Sequence, residues 1–349
     1  MSADMGALAR RVLDRTPLLV RYLAIIVLAL AIFGLILLAA GKDPIKAYAD
    51  TFAYTFGNAY GFSELLVRMI PLLLTAVAVA FPARIGMINV GGEGQLYMGA
   101  WLASGGALAF SGFPAWALLP IMTALGFLGG AAWAALPGIL RAKKLVNETI
   151  ATLLLNYVAP IIISLFVFGP WRGVESSSYP QSPAFVDAAR LPSFFNTRIH
   201  FGLFFALASL LAFWLIVEKT RWGVQMRAIG GNPEAAERLG IPLVLYTVVV
   251  MAIGGGIAGL AGMGEVSAIQ GRLRQGLSPG YGFTGFLIAW LAGGSPLGIL
   301  LMTALFAVIT SVGDILQITQ GLPYAVVNIL MAVILFVVLG RRSLRRAAR

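Results

Sequence analysis

Cysteine is absent from this sequence and histidine occurs once, as His200. The first absence excludes disulfides and thiolate metal sites. The second excludes a histidine-based metal cage, and no His-Glu-x-x-His pattern exists to build a metalloprotease centre. Charge is scarce as well: 11% of the residues are Asp, Glu, Lys or Arg, against about 25% in a soluble domain. No Gly-x-x-x-x-Gly-Lys-Ser/Thr loop is present, so this chain lacks the usual cradle for nucleotide phosphates. No nucleophile, base and orienting group assemble in the pattern of an intramembrane enzyme.

What remains is apolar. Hydrophobic residues make up 59% of the chain and mean hydropathy is +0.89. The 349 residues would suggest two domains in a soluble protein, but this composition points to one membrane-embedded domain over 1–349. A bilayer core needs about 20 apolar residues per helix. Runs of that kind fall at 22–40, 65–83, 87–110, 114–140, 146–168, 201–217, 243–264, 281–293, 297–316 and 323–339. The expected fold is an all-α integral membrane protein of about ten transmembrane helices. The first run exceeds the roughly 7–15 apolar residues of a cleaved signal peptide, so it reads as a retained helix.

The net charge of +11 is gathered in short clusters between apolar runs, unlike a nucleic-acid-binding face. Ten spans put both termini on one side. The N-terminal tail 1–21, Arg84, residues 141–144, the loop 218–242 and the basic tail 341–349 then share a face. That face holds 17 of the 25 Lys and Arg residues. The excess marks it as cytoplasmic. The opposite face carries Lys42, Lys46, Arg68, Arg172, Arg190, Arg198, Arg272 and Arg274. Segments 41–64 and 170–198 lie there, the second broken by Pro170, Pro180, Pro183 and Pro192. Each reads either as a surface loop or as a docking rim for an external partner.

Two segments share a pattern. Gly92-Glu-Gly94 is followed, after six residues, by Trp101-Leu-Ala-Ser-Gly-Gly106, and Gly280-Tyr-Gly282, after seven, by Trp290-Leu-Ala-Gly-Gly294. They fall in the third and eighth runs, five apart and opposite in direction, as two inverted five-helix repeats require. Glycine-interrupted spans at matching positions point to a transport pathway. Asn89, Glu93 and Gln95 cluster at the glycine-broken start of the third run. A carboxylate there faces a cavity, caps nearby backbone amides or pairs with an arginine such as Arg84. In the fifth run Thr149, Thr152 and Asn156 share one helix face, where they line a pathway or hydrogen-bond between helices. Ser278, Tyr281 and Thr284 could form the opposite wall, with Phe283 and Phe286 offering aromatic faces.

The loop between the sixth and seventh runs reads GGNPEAAERLGIP over residues 230–242. It spells a short capped helix: Asn232 at the N-cap, Pro233 at the first position, Glu234 in the first turn, Gly240 at the end and Pro242 beyond it. Such a helix is either a lever or a connector.

This loop resembles the coupling loop of permeases in the ribose and branched-chain amino-acid importer superfamily. The stretch GMINVGGEGQLYMGA at 86–100, LVNETIATLLLNY at 145–157 and the segment 280–298 are similar to its nucleoside-type, simple-sugar-like members. The resemblance implies the membrane-spanning permease of a bacterial ATP-binding-cassette importer in the cytoplasmic membrane, carrying nucleosides by alternating access. It implies cytoplasmic ATPase subunits that hold ATP and Mg, a second related permease in a heterodimer, and an extracytoplasmic substrate-binding protein. No cofactor is then expected on this chain. By the same resemblance Asn232, Pro233, Glu234, Ala235, Ala236, Glu237 and Gly240 form the ATPase-coupling segment. Asn89, Glu93, Gln95, Asn156, Ser278, Tyr281 and Thr284 are the pathway candidates. The alternatives are a ribose-like sugar permease and an ion-coupled secondary transporter, the latter with Glu93 as its carboxylate.

Overall fold

The computed structural model describes residues 18–174 and 179–321, and beyond these 323, 325, 328, 329, 332 and 333. Most of the N-terminal tail, the expected tenth run 323–339 and the basic tail lie outside the described residues. The described chain is helical, with two isolated β-bridges and no strand. Six of its helices are long and apolar enough to cross a membrane.

The chain divides into two parts, one of them residues 62–307. The other includes α1 (Leu18–Ala39) and α2 (Pro44–Phe56). Asp43 caps α2 by accepting from the Ile45 and Lys46 amides at 2.9 and 3.2 Å. Tyr48 Oη donates to the Leu30 carbonyl at 2.7 Å, so α2 folds back on α1. Segment 41–64 is thus largely helical, which its mixed polarity did not announce.

The larger part begins within α3 (Ala59–Ala83) and continues through α4 (Gly92–Ala109), α5 (Ala115–Ala142), α6 (Glu148–Phe168) and α7 (Gly202–Lys219). Two short helices follow, α8 (Arg221–Gly231) and α9 (Pro233–Arg238). Next come α10 (Leu243–Gly264), which runs on as a π-helical turn over Glu265–Gln270, and α11 (Tyr281–Leu291). Last is α12 (Pro296–Gln320), which leaves this part at residue 308.

Its core is α4, α5 and α10 packed backbone to backbone. A Cβ on Gly99 would overlap Gly259, one on Gly130 would overlap Gly255, and one on Gly262 would overlap the Leu96 carbonyl. Small residues four apart on α10 (Gly254, Ala258, Gly262 and Gly255, Gly259) make this approach possible. Lipid offers no hydrophobic drive between helices, so close van der Waals packing has to supply it.

Described residues of segment 170–198 are tied to the backbone that follows α10. Ser182 N–H donates to the Leu273 carbonyl and Phe185 N–H to the Gly271 carbonyl, each at 2.8 Å. Ser267 Oγ takes the Leu191 amide at 3.0 Å and donates to the Ala189 carbonyl at 2.6 Å. Residues 182–191 are thus folded onto the residues that follow α10.

Candidate functional site

The site is built around a helix that starts late. The apolar run 87–110 reads as one span, yet residues 87–90 are not helical and α4 begins at Gly92. Non-helical backbone in apolar surroundings must find partners, and α6 supplies them. Thr152 Oγ1 accepts from the Val90 amide at 3.2 Å. Asn156 Nδ2 donates to the Val90 carbonyl while its Oδ1 accepts from the Gly94 amide, both at 2.8 Å. Lower on α6, Glu148 Oε1 accepts from the Ile88 amide at 3.4 Å and Oε2 lies 3.1 Å from Arg141 Nε. Asn147 caps α6 through the Thr149 amide at 2.9 Å.

Asn89 and Gln95 close on each other. Asn89 Nδ2 donates to Gln95 Oε1 at 3.1 Å, Gln95 Nε2 donates to Asn89 Oδ1 at 2.9 Å, and the same Oδ1 takes the Gly91 amide at 3.0 Å. Asn89, Gln95 and Asn156 are buried. Their amides build the break rather than face open space.

Glu93 caps another helix. Its Oε2 accepts from the Gly282 amide at 2.7 Å, in the first turn of α11. The N-terminus of a helix has unpaired N–H groups and partial positive charge, which a carboxylate satisfies. The expected partner Arg84 is engaged elsewhere, donating to the Gly294 carbonyl at 2.6 Å and lying 4.0 Å from Glu218. Gly92 and Gly282 face each other so closely that a Cβ on Gly282 would overlap the Glu93 backbone. The two segments of the shared glycine pattern therefore meet, N-terminus to N-terminus.

Ser278 caps α11 from its own side, accepting from the Gly280 and Tyr281 amides at 3.1 and 2.9 Å. Gly280 has φ +99°, a conformation open to glycine. Thr284 is buried and donates back to the Gly280 carbonyl at 3.0 Å. The Tyr281 carbonyl accepts from Thr75 Oγ1 at 3.0 Å. All seven expected residues come together, with Ser278 and Tyr281 half-buried and the others buried. Thr75 and Tyr97, whose Oη accepts from the Ser278 amide at 3.4 Å, escaped the sequence reading because neither stands near a recognisable pattern.

A second buried carboxylate was also missed. Glu265 opens the π-helical turn at the end of α10 and is buried, with the guanidiniums of Arg198, Arg274 and Arg68 acting on it. Arg198 also pairs with Glu64 at 3.0 Å. Nearby, buried His200 accepts from the Gly202 amide through Nδ1 at 3.1 Å. Burial, reinforced by Arg198, pushes its pKa down to about 4. Among the described residues no group of three or more His, Cys, Asp or Glu could hold a metal ion.

At the other end of the larger part, α9 has the caps its sequence spells. Asn232 Oδ1 accepts from the Ala235 amide at 3.0 Å. Gly240, at φ +79°, donates to the Glu237 carbonyl and Ile241 to the Ala236 carbonyl, at 2.9 and 3.1 Å, a Schellman ending. Residues 231–235 and 237–240 are exposed, and Leu239 is 79% exposed. Ala236 is the exception: it is 1% exposed and turned into the protein. It anchors the helix beneath the exposed residues.

A family profile described as branched-chain amino acid transport system / permease component matches residues 61–339. The chain belongs to that family. The permease is 38% identical to a glucose ABC transporter permease protein of Haloferax volcanii, over 89% of this chain and 84% of that one. It is 31% identical to a guanosine ABC transporter permease protein of Bacillus subtilis, over 94% of each. A nucleoside ABC transporter permease protein of Lactococcus lactis shares 30% identity over 89% of this chain and 88% of its own. The permease is therefore a membrane-embedded, non-enzymatic subunit of the sugar and nucleoside importer group.

Proposed function

We propose that the permease forms the translocation pathway for a nucleoside in an ATP-driven importer, with the meeting of α4 and α11 at its centre. The observation that carries this reading is the Glu93 cap on α11. Thr75, which bonds to the first residue of α11, lies nine residues before Arg84, or about 13 Å along a helix axis. A bilayer core is about 30 Å thick. With Arg84 at one boundary, the two helix ends meet near the middle. Broken helices meeting at that depth are the usual frame of a substrate site. The Glu93 carboxylate already occupies the positive end of α11, which disfavours an anionic substrate and suits an uncharged nucleoside.

The charged groups fit two membrane boundaries, and the ten-span reading with cytoplasmic termini takes the one nearer α9 as cytoplasmic. Glu64, Arg68, Arg198, Glu265 and Arg274 gather near the start of α3, while Arg84, Glu218 and Arg227 gather beyond its end. The second group shares its end with α9. In this orientation α9 faces cytoplasmic ATPase subunits, which carry the ATP and Mg. The opposite end faces an external substrate-binding protein, and a second related permease completes the pathway. The contact of the two glycine patterns fits two inverted five-helix repeats.

A route from α9 to the centre is visible. Gly230, at the end of α8, lies so close to Arg84 that a Cβ would press on its carbonyl. Arg84 leads through Gly86, at φ +78°, into the segment that α6 holds and α4 continues. Movement of α9 would reach the Glu93–Gly282 contact along this backbone.

A second reading, a sugar as substrate, is favoured by the 38% identity to the glucose permease. Uptake of labelled guanosine and uridine by cells with and without this gene separates the two. Nucleoside import requires loss of uptake on deletion, and competition by unlabelled nucleosides but not by ribose or glucose. Competition by the sugars alone would establish the second reading.

A further inference from the structure

A cavity of about 850 Å³ opens between α7 and the first turns of α12. Its wall on α7 is Leu207, Leu211, Trp214 and Glu218, spaced four, three and four residues apart along one stripe. The stripe is apolar for most of its length and charged at the end nearest α9. From Leu207 to Glu218 it covers about 16 Å of helix, close to the hydrocarbon depth of one leaflet, about 15 Å. Leu297 closes the other side and is 65% exposed.

The charged end has an excess of cations. Arg84, Glu218, Lys219 and Ser295 line it. Glu218 is shared between Arg84 and Arg227, at 4.0 and 3.8 Å. Lys219 lies 5.4 Å over the Trp214 ring and has no ion pair among the described residues. Arg84 uses one terminal nitrogen on the Gly294 carbonyl, while its buried Nε has no hydrogen-bond partner.

We infer that this groove is a binding site for an anionic phospholipid of the leaflet on the α9 side. One acyl chain lies along Leu207, Leu211 and Trp214, and the phosphate accepts from Arg84 and Lys219. An ordinary lipid-facing surface would solvate chains without choosing headgroups. Apolar depth of one leaflet ending in cations is what separates an anionic lipid from its neighbours. The inference rests on the membrane orientation proposed above but not on the substrate, so its failure leaves the nucleoside reading intact.

The test uses the full-length permease, purified in maltoside detergent, by native mass spectrometry and thermal melting. Phosphatidylglycerol, phosphatidylcholine of the same chains and inorganic phosphate are added separately. Phosphatidylglycerol should be retained one to one and raise the melting temperature to saturation, with phosphatidylcholine weaker by about tenfold. Inorganic phosphate should do neither. Leu211→Trp, which fills the wall, and Lys219→Glu, which reverses the charge, should each cut retention by about tenfold. Arg221→Glu, exposed and outside the cavity, should leave retention unchanged and controls for total charge. Equal retention of both lipids would overturn the inference. So would full retention in Leu211→Trp and Lys219→Glu, stabilisation by phosphate alone, or no adduct with either lipid, the result expected if a protein segment fills the groove.

Discussion

The meeting of α4 with α11 and the short helix α9 are both capped helix starts, and they differ in what is left over once the caps are made. At the meeting point the cap comes from another helix, the glycines touch, and Asn89, Gln95 and Asn156 are bonded to backbone or to each other. At α9 the caps are local, one alanine is buried, and the remaining side chains stand in the open. The first region can be altered only by altering the fold. The second can change its chemistry with the fold intact. A pathway that must keep its shape in an apolar medium suits the first, and a surface that must engage and release a partner suits the second.

Substitutions at the two regions should separate accordingly. The largest effect is expected for Gly282→Val. Its Cβ would overlap the backbone of Glu93, which no change of rotamer relieves, and overpacking already costs about 1–3 kcal/mol where side chains can yield. Little folded protein should survive size-exclusion chromatography. Next is Asn156→Leu, which strips partners from the Val90 carbonyl and the Gly94 amide. At about 1–3 kcal/mol for each buried group, the melting temperature should fall clearly. Unchanged melting would mean that α6 does not hold the broken start of α4.

A pH effect sharpens the same contrast. His200 is buried with its pKa lowered to about 4, so the unfolded chain binds a proton more readily than the folded one. Its stabilising contribution is complete above the unfolded value of about 6.5 and is lost as pH falls toward 4. At pH 5.5 the loss is about 1 kcal/mol, and His200→Gln should flatten the melting curve against pH over that interval. The smallest stability effect is expected for Glu234→Arg with Glu237→Arg. Both positions are exposed, where substitutions stay within about 0.5 kcal/mol, yet ATP-driven uptake should fall to background.

The sequence announces the apolar runs, because the bilayer imposes length and hydropathy on each helix separately. It also spells α9, whose capping groups all lie within a few residues of one another. What it conceals depends on distant partners. Asn89 and the glycines mark residues 87–91 as a broken start, but not the partners that make it tolerable: Glu148, Thr152 and Asn156, 60 or more positions away. The partner of Glu93 lies 189 positions on. The fold of residues 182–191 depends on residues after α10, and Glu265 hides at the end of a run that reads as an ordinary span. Glycine patterns marked the place of the site, while the bonds that make it could not be read locally.

The most direct test of this division is to measure nucleoside uptake and melting temperature together, in the assembled importer, for Glu234→Arg/Glu237→Arg and for Glu93→Gln. The first variant should melt as the unaltered protein does and fail to transport. Glu93→Gln, which keeps an acceptor for Gly282 but loses the charge that favours a helix N-terminus by about 0.3–2 kcal/mol, should lose stability and uptake together. Normal uptake in the first, or uptake and melting both unchanged in the second, would contradict the account.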